Sequence, residues 1–276
     1  MKTTSEHVKF RFGEALDLSS LAKASEELTT MISRGSCRSF QDREVNPELS
    51  RLLCAAALAS PTKSDLQQRD IILVRDPAVK DRLLELAGPE GWTRKTPNVA
   101  VFCGNNLRQR QLHAFRGLPF ANDHFDAFFN AAVDAAVALS AFVTAAESVG
   151  LGCCPISAVR NEAARVSDLL KLPGYVFPVA GLAFGYPLSN TPTVSMRLPL
   201  SATVHEDRYG EDNPVSVFSD YDARRQAEQP YPRQRATDTY GISDSYGWSE
   251  DKCRQYSLPE RKHFGAFIRA KGFDLT

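Results

Sequence analysis

At 276 residues and 30.5 kDa, with 43% hydrophobic and 24% charged residues, the chain can bury a sizeable core and has an ordinary globular composition. Lys+Arg and Asp+Glu both total 33, and this balance argues against nucleic acid or an anionic membrane as the main partner. The opening MKTTSEHVKFRFGEALD lacks the apolar core of a secretion signal, and the most apolar segment, AAVALSAFVTAA at 135–146, is far shorter than a bilayer span of ~20 residues.

Residues 1–30 read as a polar lead-in with a helical period at Leu18, Leu21, Ala22, Leu28 and Ile32. NPELSRLLCAAALAS reads as a helix capped by Asn46 with Pro47 in its first turn. DIILVRD is a short strand, PAVKDRLLELAG an amphipathic helix closed by Gly88, and NVAVFCG a second strand. Residues 126–149 form a helix with small or apolar residues on nearly every face, which fits a central core helix or a subunit interface. EAARVSDLLKLP is a further helix and YVFPVAGLAFGYP a buried strand. Residues 205–255, rich in charge, Tyr, Pro and Gly, read as a surface excursion, and LPERKHFGAFIRAKGF returns to helical spacing. Interleaved helices and buried strands imply an α+β layered fold, one structural domain overall. Its six cysteines (Cys37, Cys54, Cys103, Cys153, Cys154 and Cys253) form no C-x-x-C pair and read as reduced thiols in a cytoplasm.

No phosphate loop, zinc helix or nucleophile elbow occurs, and the five histidines are scattered. GLGCC at 150–154 follows a helix instead of a strand, so a dinucleotide fingerprint fails on context. Four stretches keep the potential for chemistry. In RGSCRSF, Arg34 and Arg38 would share a helical face; their guanidinium forks and the Ser36 hydroxyl suit phosphate oxygens, and Gly35 allows a close approach. The alternative there is a solvated basic helix end. ASPTKSDLQQ (59–68) carries enough short polar groups to wrap a polar heterocycle, or is a plain polar loop. GLGCCPISAVRN (150–161) exposes backbone N–H groups to a flat ring, or is a tight helix-to-strand connection. SMRLPL offers Arg197 as a further cation.

Taken in order, these stretches resemble the nitroreductase family of FMN-dependent oxidoreductases, and within it the larger oxygen-insensitive nitroreductases and NADPH-dependent flavin reductases. RGSCR is similar to the family's R-x-S-x-R/K, PTKSDLQ to P-S-S-x-N-x-Q, and AAESVGLGCCPISAVRN to A-A-E-S-L-G-L-G-…-I-G-G-x-R-N. FPVAGLAFGYP and MRLP resemble V-x-P-x-x-G-L-x-x-G-x-P and K-x-R-L-P. The resemblance covers about residues 30–210 and the last helix.

It implies a nitroreductase-like layered fold: a central mixed, mainly antiparallel sheet surrounded by helices, with a long central helix at a homodimer interface. Residues 31–204 would form the FMN-binding core, 205–255 an excursion near the NAD(P)H or substrate site, and 256–276 a C-terminal helix. Arg34, Gly35, Ser36 and Arg38 would meet the FMN phosphate and ribityl chain, with Arg197 as a second cation. Pro61, Thr62, Lys63, Asp65 and Gln67 would reach the flavin from the neighbouring subunit. Pro155, Ile156, Ser157 and Ala158 would line the flavin edge near N5. Asp65 stands where Asn is usual, Ser195 where Lys is usual, and Ser157 and Ala158 replace glycines.

The resemblance further implies NAD(P)H, NADPH favoured, as hydride donor in a ping-pong cycle, and a small-molecule acceptor such as a nitroaromatic, a quinone or free flavin. Arg224, Arg225, Arg233 and Arg235 are where recognition of an NADPH 2′-phosphate is sought; a polar surface segment is the alternative. A specialised flavoenzyme of the same fold, or a flavin-binding sensor or carrier without turnover, remains open beside the reductase.

Overall fold

The computed structural model describes residues 3–16, 26–88, 91–189, 193–210 and 213–276. In chain order its elements are α1 (Thr4–Phe12), α2 (Glu26–Ser33), α3 (Pro47–Leu58), β1 (Arg69–Val74), α4 (Pro77–Leu86), β2 (Asn98–Asn105), α5 (Leu107–Arg116) and α6 (Phe125–Ser148). There follow β3 (Gly152–Ile156), α7 (Ala163–Leu169), β4 (Val176–Gly185), α8 (Pro214–Glu228), α9 (Thr237–Tyr240), α10 (Trp248–Tyr256) and α11 (Phe264–Ala270).

The chain divides into two compact units: residues 1–34 with 194–260, and 35–193 with 261–276. The sequence reading placed its boundaries near residues 30, 204 and 255 instead.

The larger unit is built on a sheet of order β1-β2-β4-β3 in which every neighbouring pair runs antiparallel. Alternation along β2 sends its side chains to two cores, as strand pleating requires. Val99, Val101 and Cys103 join Leu83, Leu84 and Val166 of α4 and α7. Ala100 and Phe102 join Leu53, Ala138 and Phe142 of α3 and α6 on the other face. There Phe142 meets Phe102 and Phe184 edge-on, at ring centroid distances of 5.7 and 5.2 Å. A third cluster joins Ala127 and Ala131 of α6 to Phe177, Ile268 and Phe273.

Asn46 caps α3 through its side chain, with Pro47 following, and Asp76 does the same for α4. Among the described residues α6 is the one helix long and apolar enough to cross a membrane. Its Ala131, Ala135, Ala138 and Phe142 are instead fully buried within the unit. β3 was not expected as a strand; it contains Pro155, which an edge strand tolerates because no ladder N–H is lost.

In the smaller unit the expected excursion at 205–255 is largely helical, holding α8, α9 and α10. These were missed because their apolar pattern is sparse: α8 buries Tyr221 alone. That ring packs edge-on against Trp248 at 5.2 Å, and Asp222 caps α10 through the Ser249 N–H at 2.9 Å. The lead-in contains α1 and α2, with a 2.7 Å hydrogen bond between the Thr4 and Thr29 hydroxyls. Leu18, Leu21 and Ala22 of the predicted period lie outside the described residues.

Candidate functional site

Arg34 follows the last residue of α2, and residues 34–39 belong to no helix. Arg34 and Arg38 therefore do not share a helical face, which corrects the sequence expectation. Cys37 packs toward the sheet: its N–H bonds the Cys153 carbonyl at 2.9 Å, and a Cβ on Gly152 would lie 2.6 Å from its Sγ. Gly152 is required for that approach. Burial pushes the Cys37 thiol up, keeping it protonated as a small packing group. Ser36 is half-buried, while Arg38 is exposed with its guanidinium 5.8 Å from the Trp92 ring.

Within the smaller unit Arg34 and Arg197 are drawn together by a residue the sequence did not single out. Arg11 of α1 donates through Nη2 to the Arg34 carbonyl, and its own carbonyl accepts the Arg197 N–H at 2.7 Å. Arg224 of α8 donates to the Arg197 carbonyl at 2.6 Å and to the Phe10 carbonyl at 3.4 Å. It lies over Gly13, where a Cβ would come within 2.6 Å of its Nη1 and where φ is +77°. Gln229 fastens the segment before Arg197, donating to the Val194 carbonyl at 2.7 Å and accepting the Met196 N–H at 3.4 Å. Two of the four arginines considered for a 2′-phosphate are thus tied into the unit, since Arg235 also pairs with buried Asp251 at 3.0 Å. Arg225 lies over the Tyr231 ring at 4.8 Å, and Arg233 is exposed.

In the larger unit the loop from Pro61 to Gln68 carries three non-glycine residues in the left-handed region: Ser64 (φ 49°), Asp65 (φ 56°) and Gln67 (φ 53°). Such a run persists only if its surroundings over-determine it. Arg69 of β1, buried, donates to the carbonyls of Leu58, Ser60 and Pro61 at 2.8, 2.7 and 2.7 Å. Gln109 of α5 donates to the Leu66 carbonyl at 2.7 Å, and Arg108 to that of Gln67. The Thr62 hydroxyl accepts the Gln67 N–H at 3.0 Å. With the backbone so occupied, Lys63, Asp65 and Gln67 present exposed side chains. The Gln67 amide donates to Asp65 at 3.1 Å, supplying a donor where the carboxylate has none.

Pro155 and Ile156 end the edge strand β3, and Ser157 and Ala158 open a single 3-10 turn. Pro155 and Ser157 are exposed, Ile156 is buried and Ala158 is half-buried. Gly181 of β4 lies behind this turn; a Cβ there would come within 2.9 Å of Val159. The donor set suits FMN. In the smaller unit Arg34 and Arg197 are cations of the kind a phosphate would need; in the larger unit Ser36 and Thr62 are hydroxyls of the kind a polyol would need, and Lys63, Asp65 and Gln67 are donors and acceptors of the kind a polar ring would need.

Residues 31–186 match the Nitroreductase family, and residues 195–276 match the Nitroreductase family, C-terminal domain. The chain belongs to the nitroreductase family. It is 32% identical over 251 residues to the FMN reductase (NADPH) of Bacillus subtilis, covering 90% of this chain and 98% of that relative. To the oxygen-insensitive NADPH nitroreductase of Salmonella typhimurium it is 34% identical, over 63% of this chain and 70% of the relative. Among solved structures, NfrA2 of B. megaterium superposes with a TM-score of 0.82 at 30% identity, covering 92% of this chain and 100% of the other. The all-antiparallel sheet wrapped by helices is the nitroreductase fold that the motifs implied.

Proposed function

We propose that this nitroreductase-family chain is an FMN-dependent NAD(P)H oxidoreductase, reducing free flavin, nitroaromatics or quinones with NADPH as the favoured donor. The observation that carries the reading is the fastened, left-handed loop at 61–68, which spends backbone strain to present Lys63, Asp65 and Gln67. Relatives named as NADPH-dependent FMN reductase and nitroreductase support the same chemistry.

Arg34, Ser36, Arg38 and Arg197 would hold the phosphate and ribityl chain, with Arg11 and Arg224 fixing the backbone at Arg34 and Arg197. Pro61, Thr62, Lys63, Asp65 and Gln67 would address the ring, and the backbone from Pro155 to Ala158 would line its N5 edge. Bound FMN would supply hydride and two-electron chemistry, serving a ping-pong cycle between the nicotinamide donor and the acceptor. The protein would bind and orient the ring, and donors at its pyrimidine edge would stabilise the charge that reduction adds.

The working form is a homodimer. On α6, Phe125, Phe129 and Val133 recur at a spacing of one turn and are 47%, 51% and 41% exposed, while α3 adds Leu52 at 64%. A contiguous apolar helix face of this kind calls for a covering surface, and a second copy provides it. Six free cysteines suit a reducing, cytoplasmic setting.

Stopped-flow mixing of the yellow protein with NADPH tests the proposal. Rapid loss of flavin absorption, followed by recovery with nitrofurazone or a quinone, is the expected result. Colour that persists through NADPH would mark a flavin carrier.

A further inference from the structure

The left-handed loop is held on its N–H side by one buried carboxylate. Asp134 lies on the inner face of α6 and is 2% exposed. One of its oxygens accepts the Lys63 N–H at 3.0 Å; the other accepts the Gln68 N–H at 3.0 Å and the Thr62 hydroxyl. Thr62, so oriented, accepts the Gln67 N–H in turn. Two backbone amides at the two ends of the loop and the Thr62 hydroxyl thus converge on a single side chain.

An ordinary polar loop of this length satisfies such amides with water or its own carbonyls. Here the carbonyls of Pro61, Leu66 and Gln67 are already engaged by Arg69, Gln109 and Arg108. An anion buried in an otherwise alanine-rich helix face is costly unless it is hydrogen-bonded, and these three bonds offset that cost. Its reach is confined to the loop ends, so its structural effect is the distance between residues 62 and 68. Ser64, Asp65 and Gln67, lying between those held ends, take positive φ.

We propose that Asp134 is a positioning residue for flavin binding, setting the conformation in which Lys63, Asp65 and Gln67 meet the ring. The role rests on the FMN reading above. In Asp134→Asn at least one of the two amides faces an NH2 group instead of an oxygen. The loop then relaxes toward ordinary φ values and the three side chains leave their positions.

The test compares FMN release on dilution of holoenzyme, read by flavin fluorescence, with amide hydrogen exchange of the flavin-stripped protein at Lys63 and Gln68. Asp134→Asn is expected to release FMN about tenfold faster and to raise exchange at both amides by at least that factor. Phe273→Leu, a core change in the third cluster, serves as the stability control and should leave both readouts within about twofold. Adding Ser64→Gly to Asp134→Asn should recover about threefold of the retention, because glycine adopts positive φ without a steric penalty. Equal release from the Asn and Leu variants at matched melting temperatures overturns the proposal, as does unchanged exchange at Lys63 and Gln68. Faster exchange with unchanged FMN release overturns it too. A wild-type protein that takes up no FMN at all sinks the flavin reading itself, and the exchange data then still report whether Asp134 holds the loop.

Discussion

The Arg197 N–H donates to the Arg11 carbonyl at 2.7 Å, and the Arg11 guanidinium reaches back to the Arg34 carbonyl. One residue of the first helix therefore sets the separation of two cations more than 160 positions apart in sequence. Arg11 is 6% exposed, so its bonds form in a poorly solvated setting, where a charge-assisted hydrogen bond contributes about 1.5–3 kcal/mol. Arg11→Met keeps the length and loses the fork. FMN affinity should fall about tenfold and the melting temperature by about 5 °C, read by fluorescence titration and a thermal melt. An unaltered titration would show that Arg34 and Arg197 do not depend on this brace.

The cations themselves are tested by removal and by addition. Replacing both Arg34 and Arg38 with Ala should give mainly colourless protein, and unchanged flavin content would mean the phosphate lies elsewhere. Ser195 lies two residues before Arg197 in the segment fastened by Gln229. Ser195→Lys should tighten FMN severalfold at low salt and less at high salt, because the added attraction is screened. Weaker retention would count against phosphate beside residue 195.

The exposed face of α6 makes a separate prediction. Phe125 and Phe129 stack with centroids 6.1 Å apart on a side of the helix where they remain 47% and 51% exposed. Burying such side chains contributes about 1.5–3 kcal/mol each. Phe129→Glu should therefore shift the protein from dimer to monomer in sedimentation velocity, and FMN should be lost with the partner if loop 61–68 reaches across. A dimer that survives Phe129→Glu would place the interface on another surface.

The sheet and most helices could be read from periodicity and caps. Asn46 before Pro47 marked α3, and the apolar runs of NVAVFCG and FPVAGLAFG marked the two central strands, which are buried on both faces. Elements with thin apolar patterns escaped: α5 buries Gln109 alone, and α8 buries Tyr221 alone. RGSCR was legible as a cation cluster but misread as helical, since spacing alone does not separate an i, i+4 pair on a helix from the same spacing outside one. The residues that hold the site were invisible for a different reason. Asp134 meets its partners across 66 to 72 positions, and Arg11 reaches Arg34 across 23, with no motif linking them. Ligand contacts recur as local patterns, whereas the groups that brace them are set by tertiary packing.

Alkaline stability should follow Cys103. This β2 residue is completely buried, and burial, aided by the nearby Asp70 carboxylate, pushes its thiol up to about 12. In the unfolded chain the same thiol titrates near 8.5, by reference values. The folded state therefore favours the protonated thiol. Its contribution is fully present below about pH 8.5 and is progressively lost as pH rises toward 12. Cys103→Ala should lower the urea midpoint at pH 8, because packing is lost from the core. Between pH 8 and pH 10.5 the variant's midpoint should then fall less than that of the wild type, since no thiol remains to ionise on unfolding. Parallel falls in the two proteins would show that other groups govern the alkaline limb.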